Sequence, residues 1–283
     1  TWRNAITQRS AVGFPYTQAM EWIGTTAGGL AVLLYLGAAV AAARGAVSSV
    51  RVKLYRWPAG LAIVCHAVSI VACLATAQGL SFGVFDAASV VLWITTGSVL
   101  ATSFRTRIEA LSTLLFVLAA IVVGLQQSFR STHLLVDLSP GLLYHIVLAL
   151  VAYGLFIVAC GEAALVIFAD RRLRAHKPVL NLLPPLAEME RSLFQILFIA
   201  FALLSYSLVL GAFYVTDLGA QHLYHKVVFA ALAWLVFAVL FFGRWRFGWR
   251  GVHAARYVLV GMGLLLLSYF GSKSVLELLL GRT

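Results

Sequence analysis

The stretch SPGLLYHIVLALVAYGLFIVACGEAALVIFAD, Ser139 to Asp170, decides how the chain is read. Between its opening Ser-Pro and its closing aspartate, only His145 and Glu162 carry side chains that charge near neutral pH. The apolar run, 141–169, exceeds the roughly 20 residues needed to cross a bilayer and is too long for an ordinary core helix. Working outward, seven further apolar runs appear, at 22–43, 57–77, 85–104, 108–125, 193–214, 226–242 and 254–271. Lipid offers no partner to backbone N–H and C=O groups, so such runs must be helices or the strands of a closed barrel. They lack the period-2 alternation of a barrel. The expected fold is therefore all-α: a polytopic membrane bundle of about eight transmembrane helices.

Composition agrees. The 283 residues are 62% hydrophobic and only 11% charged, against about 45–50% and about 25% in soluble domains. The net charge of +11 raises nucleic acid as a partner, but its distribution argues against that. Arg44, Arg51, Lys53 and Arg56, then Arg105 and Arg107, lie in the first and third loops. Arg171, Arg172, Arg174, Lys177 and Arg191, then Arg244, Arg246, Arg250 and Arg256, lie in the fifth and seventh. By the positive-inside bias these loops are cytoplasmic and both termini face the periplasm. The expected location is a bacterial inner membrane, with anionic headgroups beside the basic loops. No nucleic acid is expected.

Residues 1–19 contain no apolar run and end just before Met20, which opens directly onto the first helix. They are set aside as an upstream extension or misplaced start, leaving 20–283 as a single integral membrane domain. Cys65, Cys73 and Cys160 all fall inside helices, without metal-site spacing and without a CxxCH. The chain therefore does not attach its own c-type heme, and the cysteines read as small apolar fillers.

Seven histidines are sorted by this topology. His176 and His253 lie beside arginines in cytoplasmic loops, as solvated side chains. His133, His222 and His225 lie in outward loops or at helix mouths, and His66 and His145 lie within helices. An ionisable group at membrane depth is a functional candidate by default. At 1.5 Å per residue His145 is about 6 Å below the outer end of its helix, and His225 is at the outer end of the seventh. His66 is roughly 10 Å deeper. Two axial ligands of one iron lie about 4 Å apart, given metal–nitrogen bonds near 2 Å. His145 and His225 thus suit a shared outward-facing metal site, with His133 as reserve. His66 would serve a deeper site or none. Glu162, about two turns from the inner end of its helix, is read as protonated or as reaching an arginine among 171–174.

These residues carry a family likeness. THL and SPGLLYHIVLALVAYGLF, then PPLAEMERSLF, then GAFY before HKVVFAALAWLVFAVL, resemble the cytochrome c assembly membrane proteins. GRWRFGWRGVHAARY and the closing SYFGSKSVLELL extend the likeness, which spans residues 133–280. VCHA around His66 is similar as well, while the first four helices match mainly in pattern. Within the heme-handling superfamily of CcsA and CcmC, the chain is most similar to the compact YpjD-like branch, akin to HemX.

The resemblance implies an eight-helix bundle whose outer face handles heme. In the larger relatives a tryptophan-rich external motif ending in Asp supports the heme between axial histidines. His145 matches one of those histidines by its HI…AY context. The tryptophan-rich segment corresponds to GAFYVTDLGAQHLYHKVVFAALAW, which has no Trp before Trp234 and places His225 and Lys226 near the Asp-containing end. The histidine expected after the next helix is replaced by the Gly243–Arg244 region, and none follows Gly271.

A flat apolar macrocycle, a non-covalent b-type heme, would then lie among Tyr144, Phe213, Tyr214 and Tyr224, with propionates toward Lys226 or Arg130. The leading expectation is a heme holder or conduit, not an enzyme, acting with cytochrome maturation or tetrapyrrole-synthesis proteins. The alternative is a heme-free membrane scaffold or regulator of tetrapyrrole biosynthesis. A small-molecule transporter is disfavoured by the few polar groups at mid-membrane and by the lack of an internal repeat.

Overall fold

A computed structural model describes residues 2–47, 54–76, 79–105, 108–129, 134–135, 139–176, 183–214 and 224–271. Within these ranges the side chains of 2–17, 46–47, 75–81, 134–135, 225 and 270–271 fall outside the description. The helices are α1 (Trp2–Val47), α2 (Arg56–Leu74), α3 (Val84–Thr102) and α4 (Glu109–Ser128), then α5 (Pro140–Arg174), α6 (Leu186–Tyr214), α7 (Tyr224–Phe247) and α8 (Gly251–Leu266). A π-helical turn, Leu267–Gly271, ends α8. Eight segments are long and apolar enough to cross a membrane, the first of them Gln18–Gly45. The all-helical expectation holds. It needs one small addition, an antiparallel ladder of β1 (Ala75–Thr76), β2 (Gly79–Ser81) and β3 (Leu134–Leu135).

Helix ends follow local chemistry. Ser139 caps α5 from extended backbone, its hydroxyl accepting from the Leu142 amide at 3.3 Å. Pro140 follows at the first helical position, where its missing N–H is no loss. At its far end α5 runs about one turn past the apolar limit at 169, through Arg171, Arg172 and Arg174, cations that suit a helix C-terminus. α6 begins directly after Pro184-Pro185, whose second carbonyl accepts from the Glu188 and Met189 amides. α1 continues without a break back to Trp2, through the segment set aside from the sequence.

The chain divides into two compact units, Thr1–Leu138 and Ser139–Thr283. In the first, α1 packs on α2 and α4, and α3 on α2 and α4. The α1 stripe Ala31, Tyr35, Ala38 and Ala42 is fully buried. Three of the four are alanine, which lets backbones approach where lipid supplies no hydrophobic drive and packing must hold helices together.

In the second unit, α5 packs on α6 and α8, and α7 on α8. Its core centres on Phe156 and Phe237, stacked with centroids 4.4 Å apart, with Leu193, Leu197, Leu240 and Val258 around them. Gly261 of α8 meets the Phe237 ring so closely that a Cβ would overlap it. Gly261→Ala should therefore destabilise the unit. Helix propensity favours alanine by about 1 kcal/mol, but overpacking against a fully buried ring costs about 1–3 kcal/mol. The expected outcome is a lowered midpoint of thermal unfolding in detergent, and an unchanged or raised midpoint would show that the Phe237 stack can yield.

Candidate functional site

His145 lies in the second turn of α5, and a face of α6 is shaped around it. Its Nδ1 is 2.7 Å from the Ser207 carbonyl oxygen. A carbonyl can only accept, so Nδ1 carries the proton. The neutral ring then has its lone pair on Nε2. The Ser207 hydroxyl lies 3.1 Å from Nδ1 and 3.1 Å from the His145 carbonyl oxygen. With the Nδ1 proton directed to the carbonyl, the hydroxyl donates to the backbone oxygen of His145, closing a two-way bridge between the helices. One turn on, Gly211 faces the ring: a Cβ there would stand 2.9 Å from Cε1 and 3.1 Å from Nδ1. Another turn on, the Tyr214 ring covers Gly141. Gly141 and His145 on α5 thus interleave with Ser207, Gly211 and Tyr214 on the antiparallel α6.

This arrangement fixes the ring plane and tautomer by a backbone acceptor, and it leaves Nε2 with no hydrogen-bond partner among the described residues. Histidines that ligate metals are oriented in this way, the second nitrogen tied to a carbonyl or carboxylate. The sequence placed His145 but not Ser207 or Gly211. The signal was present as Ser207, Gly211 and Tyr214 at helical spacing, but spacing does not say which neighbour a face meets.

The aromatic candidates are all in this unit. Tyr144 adjoins His145, Phe213 and Tyr214 end α6, and Tyr224 begins α7. All four are exposed, Phe213 most of all at 75%. Lys226 is partly buried in the first turn of α7, where its carbonyl oxygen accepts from the Ser268 hydroxyl at 2.7 Å. His225 is in the same turn of α7, but its side chain lies outside the described residues, as do His133, His222 and Arg130. Among the described residues no three of His, Cys, Asp and Glu gather as a metal site.

His66 has a different setting, in the first unit. It is fully buried, and both ring nitrogens have partners: Nδ1 with the Tyr35 hydroxyl at 3.1 Å and Nε2 with the Ser89 hydroxyl at 2.8 Å. The directions follow from the ends of the chain. Gln126 donates to Asp86, and Ser89 donates to Gln126 Oε1 at 2.6 Å. Ser89 must therefore accept from His66 Nε2–H, and Nδ1 accepts from Tyr35, whose oxygen is 3.0 Å from the Thr96 hydroxyl. Asp86 in turn accepts from the Gly83 amide at 2.8 Å. All four helices of the unit contribute to this network, and neither nitrogen of His66 keeps a lone pair open to a metal.

Glu162 is 3% exposed and accepts from the Ser192 hydroxyl at 2.7 Å through Oε1. Its Oε2 is buried without a hydrogen-bond partner. No arginine among 171–174 forms an ion pair with it; Arg174 instead pairs with Asp170 at 2.8 Å. The sequence alternative of an arginine-paired Glu162 is thus not the arrangement found. A carboxylate needs more than one hydroxyl to be tolerated at such burial.

The family described as Cytochrome C assembly protein matches residues 56–280. The chain is similar to the inner membrane protein YpjD of Escherichia coli (strain K12), with 32% identity over 226 residues, covering 77% of this chain and 85% of that protein. It is also similar to a 28.8 kDa protein in the nifR3-like 5' region of Azospirillum brasilense, 32% identical over 141 residues, or 48% of this chain and 52% of the relative. No solved structure matches the chain.

Proposed function

Because this chain belongs to the cytochrome C assembly protein family, we propose that it holds heme non-covalently through Nε2 of His145, on the outward side given by the Lys/Arg bias of its loops. With eight helices fit to span, it is a multi-pass inner-membrane protein. The observation that carries the proposal is the histidine with its tautomer fixed by Ser207 and its Nε2 lone pair open. A bare structural zinc ion would need about four protein donors. Heme iron already has four from its macrocycle and needs only one or two more. A single oriented imidazole beside exposed aromatics fits the second requirement. Tyr144, Phe213, Tyr214 and Tyr224 would flank the ring, Lys226 would serve a propionate, and His225 is the candidate second ligand. When bound, the heme would supply a redox-active iron whose potential its axial ligands tune. This chain's own part is to present one imidazole in one orientation.

The test is the visible spectrum of the detergent-purified protein, oxidised and reduced, beside His145→Ala and His225→Ala. A Soret band with resolved reduced bands, lost in His145→Ala and broadened or lost in His225→Ala, is the expected result. A protein that stays heme-free after reconstitution overturns the proposal. That outcome would leave the alternative of a heme-free scaffold or regulator, which the missing tryptophans between Gly211 and Trp234 favour.

A further inference from the structure

We propose that the turn joining α7 to α8 is a binding site for an anionic phospholipid. This end of the second unit concentrates Arg244, Arg246, Arg250 and Arg256, and no Asp or Glu occurs in sequence between Asp217 and Glu277. Arg246, Arg250 and Arg256 are exposed. Arg244 is directed inward, its guanidinium 3.5 Å from the centroid of the Phe194 ring and its Nη1 buried without a hydrogen-bond partner. The charged groups near enough to act on it are Arg250 and Glu190. Glu190 Oε1 also lies against Gly251, the first residue of α8. Glu190 is thus the carboxylate close to both Arg244 and Gly251, and the guanidinia of Arg246 and Arg250 have no carboxylate partner among the described residues.

The turn is built rather than loose. Gly248 and Gly251 take φ of +68 and +58, values that L side chains rarely adopt. Between them Trp249 packs on His253 and Tyr257, with centroids 4.6 and 5.0 Å away, and Phe247 stacks on Trp249. At the last turn of α7, Trp245 is 83% exposed with Phe242 in edge contact, and Phe247 is 63% exposed. Aromatic rings at the end of a spanning helix sit at headgroup level. Exposed guanidinia beside them are placed at the height of the lipid phosphates, to which a planar fork of N–H donors can bind through two parallel bonds. Aromatic rings that accept the glycerol and upper acyl region, with unneutralised cations at phosphate height, match a phosphatidylglycerol-type lipid rather than a zwitterionic one.

The experiment uses the full chain in mild detergent, titrated with phosphatidylglycerol or with phosphatidylcholine. Lipid adducts are read by native mass spectrometry and thermal midpoints are read in parallel. The wild type should bind phosphatidylglycerol in preference and be stabilised by it. Arg246→Gln/Arg250→Gln should lose that preference, by about fivefold for each guanidinium removed, while keeping the wild-type midpoint in phosphatidylcholine. That equal midpoint separates loss of a site from loss of fold. Equal binding of both lipids by the wild type, or an unchanged preference in the double variant, overturns the proposal.

Discussion

Gly211→Val should weaken the heme binding proposed for His145 by about 10- to 100-fold while leaving the helices intact. At this position even a single Cβ would stand 2.9 Å from His145 Cε1, and valine adds two methyl groups whose rotamer a helix restricts. The imidazole must shift from its place, and the 2.7 Å bond to the Ser207 carbonyl that fixes its tautomer is lost or lengthened. Disrupting such an outer partner of a ligating histidine weakens metal affinity by about 10- to 100-fold. Valine is a better helix former than glycine, so any loss is not a loss of helix propensity. Ser207→Ala is the informative control: it keeps the carbonyl and removes only the hydroxyl, and should retain most of the heme. Titrating hemin into each purified variant and following the Soret band checks the pair. Equal binding by Gly211→Val and wild type would remove His145 from the site.

His66→Ala should destabilise the first unit by about 3 kcal/mol and leave unchanged any heme binding at His145. Two contributions add. The buried Tyr35 and Ser89 hydroxyls each lose one of their two partners, and interhelical hydrogen bonds of this kind average about 0.6 kcal/mol in a membrane bundle. The emptied ring volume is the larger contribution, since truncating a large buried side chain to alanine costs about 2–5 kcal/mol. The packing loss therefore outweighs the polar one. His66→Gln, which keeps a donor and an acceptor and fills part of the volume, should recover much of the difference. The measurement is the thermal midpoint of both variants together with their visible spectra. A heme spectrum altered by His66→Ala at constant stability would instead make His66 a ligand.

Helix starts and depths were legible in the sequence, and the unread partners of His145 and His66 have a common cause. Ser139-Pro140 announces the start of α5, and Pro184-Pro185 that of α6, because capping and proline geometry act within a few residues. Depth within a helix follows from counting residues, which assigns His145 and His66 to different levels. Ser207 and Gly211 were missed as partners of His145 because the meeting of α5 and α6 depends on the rotation of two helices about their axes. His66 looked like a candidate ligand for the same reason. Tyr35, Ser89, Gln126 and Asp86 come from three other helices and are scattered from residue 35 to 126.

The sequence by itself determined the helical class, the eight spans and the family. Each is fixed by the bilayer's demand for long apolar runs with internally paired backbone, or by motifs contiguous in the chain. The tertiary structure decided which of His66 and His145 keeps a ring nitrogen without a hydrogen-bond partner among the described residues. That depends on which donors and acceptors the neighbouring helices bring within about 3 Å, a distance that residue order along a single helix does not encode.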